Sequence, residues 1–225
     1  DAVALFKRLL ISHLSSDNIN GFKHSCIMVF ELLDDFSADE KIQIYDSLKP
    51  KLNNADKGIR NTACVLTSNL LDAVPSSEHM NLMIALIKNM DLPPDNNEEK
   101  HIKDRVQNLM YSMLAHIAIL GSTSIRHTIL HEMLLRLVKP TERDIARTCI
   151  LHIALQLTHE ETNNLIYGVI LGKIQNISVG SGLDNYYVDL MYVMVQKIKR
   201  SQESFELKNK VACHIIPDLS DIVVR

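Results

Sequence analysis

The sequence predicts an all-α protein built from repeated helix pairs. Three observations carry that expectation. Apolar residues recur at helical rather than alternating spacing along the chain. One helix-length motif returns at a period of roughly 40 residues. Hydrophobic residues make up 46% of the chain while aromatics make up 5% and Trp is absent, which suits a helical core of Leu, Ile, Val and Met better than a β-sandwich.

The elements follow in order. Ala2 to Leu14 has apolar residues at helical spacing and runs into the polar turn Ser15-Ser16-Asp17-Asn18. Gly21 to Asp35 is the second helix, with Phe22, Cys26, Val29, Phe30 and Leu33 on one flank. Ser37-Ala38-Asp39-Glu40 has the form of a capping box, in which hydroxyl and carboxylate each satisfy an orphan backbone amide. It opens a third helix through Ile42, Ile44, Tyr45 and Leu48, which Pro50 stops. The fourth helix is read over Ala55 to Asp72. Pro75-Ser76-Ser77 starts the fifth, which continues to Met90 through Met80, Met83, Ile84 and Ile87. The stretch 91–99 contains a Pro pair and reads as an exposed loop. A long helix then runs to Leu120 and ends at Gly121, expected as a left-handed C-terminal cap. Ser124 to Val138 and Thr141 to Leu157 form a further pair around Lys139-Pro140. Thr158 with Glu161 forms a second capping box, opening a helix to Asn176. After Gly180-Ser181-Gly182 come helices over Leu183 to Arg200 and Gln202 to Ile216. The sum is about ten helices in about five pairs, with second helices opening near residues 21, 57, 99, 141 and 183.

The motif that orders the chain lies in the fourth helix as Asp56, Ile59, Arg60 and Ala63: an acid at the start, an apolar residue, a base beside it, and a small residue a turn later. It returns as Glu99, Ile102, Lys103 and Val106, and again as Glu142, Ile145, Ala146 and Cys149. Ile19, Phe22, Lys23 and Cys26 repeat it upstream without the acid, and Leu183, Tyr186, Tyr187 and Leu190 keep its hydrophobic character. Between Ile59 and Val74 the apolar positions, Val65 included, cover more than half of the helix surface, so this helix is expected between neighbours rather than on a surface.

This signature resembles the inner helix of HEAT repeats, α-solenoids related to armadillo arrays. The resemblance implies an α-solenoid of about five antiparallel pairs whose second helices line one face and hold an extended partner. It also implies that acids and bases of adjacent repeats pair into a ladder.

Composition bounds the function. A net charge of -3 and a pI near 6.4 leave no overall basic footprint for nucleic acid. Cys26, Cys64, Cys149 and Cys213 are far apart in apolar helical contexts, so they read as reduced core residues of an intracellular protein. No apolar run has membrane length; 106–120 is interrupted by Gln107, Asn108, Ser112 and His116. With Asp at its start and Ile-Val-Val-Arg at its end, the chain reads as a single helical-repeat domain, 1–225, cut from a longer protein.

No catalytic, cofactor or metal constellation emerges. His127 and His131 share a helix face, with His152 on the next helix, but ordinary helical histidines explain them better than a metal site. Gly180-x-Gly182 follows a helix and lacks a third Gly, which excludes a dinucleotide loop. The candidate partner-binding residues are bases in the first turns of the second helices: Lys23, Lys57, Arg60, Lys103, Arg105, Arg143 and Arg147. As ladder members they tie repeats together; as an exposed strip they grip an acidic peptide or phosphates. The expected function is a non-enzymatic scaffold holding a partner helix or extended segment. The alternative is an RNA-associated module resembling the middle domains of translation-initiation scaffold factors. A tubulin-binding TOG array ranks lower, because the tryptophan usual in that family's first inter-helix turn has no counterpart at Ser15 to Asn20. Homodimerisation through an apolar end, Ala2 to Leu10 or Ile215 to Val224, is a further expectation.

Overall fold

A computed structural model describes residues 2–16, 18–92, 100–165 and 190, and among these the fold is all-helical with no strand. The helices are α1 (Ala2–Leu14), α2 (Ile19–Glu31), α3 (Ala38–Leu48), α4 (Lys57–Ser68), α5 (His79–Met90), α6 (Lys100–Leu120), α7 (Thr123–Arg136), α8 (Arg143–Gln156) and α9 (His159–Leu165). The chain divides into two compact units, Asp1–Arg126 and His127–Arg225. The helices expected over 183–200 and 202–216, apart from buried Leu190, lie outside the described residues, as does Cys213.

In the first unit, α1 and α2 form a hairpin, and α2 starts two residues earlier than the sequence suggested. Asn18 is the reason: its side-chain oxygen accepts from the Asn20 and Gly21 amides at 3.0 and 3.1 Å, which fixes the first turn. The helix also ends earlier, at Glu31, and tightens into a 3-10 turn over Leu33–Asp35. The capping box before α3 is present. The Ser37 amide donates to Glu40 Oε2 at 2.8 Å, and the Glu40 amide donates to Ser37 Oγ at 3.3 Å. The Ser37 backbone bond holds the Glu40 carboxyl below its ordinary range. Two lysines fasten the connections to this framework. Lys7 donates to the Asp35 carbonyl, lies 3.6 Å from the Glu40 carboxylate and stands over the Phe36 ring. Lys51, itself buried, donates to the Ser16 carbonyl at 2.9 Å with the Phe22 ring beside its stem.

α4 is shorter than the sequence suggested. It runs from the cap Asp56, whose Oδ1 accepts from the Ile59 amide at 2.9 Å, to Ser68, and the remainder becomes a 3-10 turn over Leu71–Ala73. Its buried side is Ile59, Ala63, Cys64, Leu66 and Thr67, and Val65 is exposed rather than enclosed. α4 packs on α2 and α6, with α3 behind it, and α3 packs on α1. The second helices α2, α4 and α6 therefore form a row within this unit. α5 packs on α6, burying Leu82, Met83, Leu86 and Met90, whereas Met80 and Ile84 point outward, against the sequence reading.

Gly121 ends α6 without the left-handed backbone expected of it. Its requirement is steric. The Gly121 amide donates to the Ile117 carbonyl at 2.7 Å, and a Cβ would lie 2.6 Å from that oxygen and 3.1 Å from Ile125 Cγ2.

In the second unit, α8 buries Ala146, Cys149, Ile150, Ile153 and Ala154. The turn before it is held by an ion network that sequence reading missed. Arg136, 1% exposed, donates from Nε to Glu132 Oε1 at 2.9 Å and from Nη1 to Glu142 Oε2 at 2.7 Å, and Lys139 stands 3.6 Å from Glu142. Glu142 is also the residue whose carbonyl accepts from the Ala146 amide in the first turn of α8, so the network links the end of α7 to the start of α8. The second capping box is present before α9, with the Thr158 amide donating to Glu161 Oε2 at 2.9 Å and the Glu161 amide to Thr158 Oγ1 at 3.2 Å.

Two outcomes follow for stability. Gly121→Ala is expected to lose about 1–3 kcal/mol by overpacking, whereas Gly21→Ala, whose Cβ would meet nothing nearer than 3.8 Å, should be neutral or stabilising; urea unfolding curves separate the two. Arg136→Ala is expected to cost about 3 kcal/mol or more by stranding partly buried carboxylates. Combining it with Glu142→Gln should cost less than the sum of the single changes in the same assay.

Candidate partner-binding face

The row of second helices carries the residues singled out in the sequence, and its geometry is set by which side of each helix is buried. α2 buries Phe22, Ser25, Cys26 and Val29. At 3.6 residues per turn, Lys23, Ile27 and Phe30 then share one exposed flank. Ile27 is 56% exposed and Phe30 52% exposed, which is unusual for side chains of this size on a well-packed helix. That flank borders α4. Lys23 Nζ stands so near the start of α4 that a Cβ on Gly58 would meet it at 3.2 Å, and would meet the capping Asp56 Oδ1 at 3.1 Å. On α4, Gly58, Asn61 and Val65 follow one another along the outward side, with Val65 exposed. The seam between α2 and α4 thus has a lysine at its head and three exposed apolar side chains below it.

The sequence-derived bases divide into different roles. Lys23 is exposed at the seam, and Lys57 is half-buried at the first residue of α4. Arg60 is half-buried, and its Nη1 donates to the carbonyls of Asn54 and Ala55 at 2.6 and 2.8 Å. It therefore anchors the loop that enters its own helix, and the carbonyls take the position that the ladder reading gave to an acid. Lys103 lies in the first turn of α6, but its side chain falls outside the described residues; Arg105 is exposed a half-turn further on. In the second unit, Arg143 opens α8 and donates from Nε to the Leu137 carbonyl at 2.9 Å, while Arg147 is half-buried one turn along the same helix.

Sequence reasoning placed Phe30 on the core flank of α2 and Val65 within the enclosed surface of α4. Apolar character alone misled it. The usable signal was the angle: Phe30 is seven residues from Lys23, two turns along the polar-headed flank, not on the side of Phe22 and Val29.

The other reactive groups are placed for packing. Cys26, Cys64 and Cys149 are buried free thiols, each pushed by burial from the ordinary 9.0 up to about 12, which suppresses the thiolate that nucleophilic chemistry requires. His127 and His131 are exposed on α7 and His152 on α8. Among the described residues no group of three or more His, Cys, Asp or Glu side chains is arranged to hold a metal ion. None of the described helices is long and apolar enough to cross a membrane. The family models and the curated proteins compared with the chain give no match to it.

The raised thiol values carry a pH dependence with a fixed sign. Below pH 9 these thiols are protonated in both states, and above it the unfolded chain releases protons that the native core retains up to about pH 12. Stability is therefore expected to fall as pH rises through that window, with Tyr45, raised by burial from 10.0 to about 12, adding to the upper part. Urea midpoints measured across the alkaline range check this, and native Cys26, Cys64 and Cys149 should resist alkylation until urea is added.

Proposed function

We propose that this chain is a non-enzymatic scaffold, an α-solenoid of about five HEAT-like helix pairs, that holds a partner helix or extended segment against the face made by its second helices. The observation that carries this reading is the seam between α2 and α4, where Ile27, Phe30 and Val65 are exposed beneath Lys23 on helices that pack side by side. A groove between parallel ridges, apolar along its length and basic at one end, suits the apolar face of an amphipathic segment whose acidic end meets Lys23. The contacts of α2 with α4 and of α4 with α6, with α1 and α3 behind them, support the solenoid reading in the first unit. Buried, unpaired thiols favour an intracellular setting, where glutathione keeps cysteines reduced. The buried, strongly protonated thiols also favour a binding role over nucleophilic catalysis.

Affinity capture from a cell extract, with and without ribonuclease, tests this. The full chain should retain protein partners that survive ribonuclease and moderate salt. The variant carrying Ile27→Asp, Phe30→Asp and Val65→Asp should lose them at least tenfold while its melting temperature stays near that of the parent, because all three side chains are exposed. Partners that vanish with ribonuclease and with rising salt would instead support an RNA-associated module gripped by the basic residues.

A further inference from the structure

The hairpin of α1 and α2 has a second exposed surface, on the flank away from α3 and α4. There the two helices leave an open groove of about 520 Å³, bordered by Phe6, Leu9 and His13 on α1 and by Gly21, His24 and Met28 on α2. Gly21 keeps the groove open, since the nearest atoms to a Cβ there would belong to Asn18, at 3.8 Å. Beside the groove runs a ridge. Leu5 and Leu9 lie one turn apart on α1 and are 61% and 51% exposed. No Asp, Glu, Lys or Arg lines the groove.

We propose that this face is a self-association surface, in which the Leu5–Leu9 ridge of one copy enters the α1–α2 groove of a second copy about a two-fold axis. The physical argument rests on self-complementarity. A two-fold interface uses one patch twice, so that patch must hold both a projecting and a receiving element, and here ridge and groove are neighbours on one hairpin. It must also bring like residues together without burying like charges, and a groove free of carboxylates, lysines and arginines meets that condition. A helical array whose outermost pair lacks a polar outer face also leaves apolar surface in water, which pairing removes. This surface is distinct from the α2–α4 seam, so the two can be occupied together.

The test is the mass of the full chain by light scattering coupled to size exclusion, over a dilution series. A dimer, at twice the 25.5 kDa chain mass, is expected. Leu9→Glu places a charge on the ridge, and Gly21→Leu fills the groove while removing a glycine from a helix. Each should yield monomer with a melting temperature no lower than that of the monomeric parent species, so loss of the dimer cannot be ascribed to unfolding. A parent chain that is monomeric at every concentration would overturn the proposal. So would a dimer that persists in both variants, or an assembly that grows beyond two copies with concentration. The seam variant Ile27→Asp with Phe30→Asp and Val65→Asp should remain dimeric; its loss of partner capture would then report on the seam alone.

Discussion

The helix Lys57–Ser68 is buried along Ile59, Ala63, Cys64, Leu66 and Thr67 and packs against α2, α3 and α6, so one apolar layer on α4 fixes three neighbours at once. Burying that layer is favourable by about 25 cal/mol per Å² of apolar surface, and it is available only if helices approach α4 from more than one side. Everything functional in the first unit depends on this enclosure. It brings Lys23 over Gly58, and it turns Ile27, Phe30 and Val65 outward because the opposite sides of α2 and α4 are already committed to the core.

The connections between helices are held by side chains reaching backbone oxygens more than by opposite charges. Arg60 takes the carbonyls of Asn54 and Ala55, Lys51 takes that of Ser16, Lys7 that of Asp35, and Arg143 that of Leu137. The physical sense is that helix ends and short turns leave carbonyls without intrahelical partners, and a long cationic side chain satisfies them at little cost in desolvation. The Glu132–Arg136–Glu142 network is the exception. There a fully buried guanidinium leaves no neutral form to retreat to, so both carboxylates are needed for the turn between α7 and α8 to close.

These arrangements also separate binding from packing. The cysteines and most methionines fill the interior, whereas the exposed apolar residues gather on α1, on α2 and at Val65. Solvent-facing apolar side chains at helical spacing carry a cost in hydration with no return in the isolated chain. That is the common basis of the partner seam and of the self-association face, and it is why the two lie on opposite flanks of α2.

The sequence alone determined the helical class, the first helix from Ala2 to Leu14, both capping boxes and the buried setting of Cys26, Cys64 and Cys149, because periodicity and local hydrogen bonding act within a few residues. Local chemistry also marked Asp56 as the start of α4. What the tertiary structure decided was the side of each helix that faces a neighbour. Phe30 and Val65 are as hydrophobic as the residues of the core, and only the approach of α2 to α4 leaves them in water. Gly121 shows the same division: its presence at a helix end was legible, but the reason for it is the closeness of Ile117 and Ile125 rather than a left-handed turn. Arg60 and Arg136 look alike in sequence, and only folding gave one a pair of carbonyls and the other a pair of carboxylates.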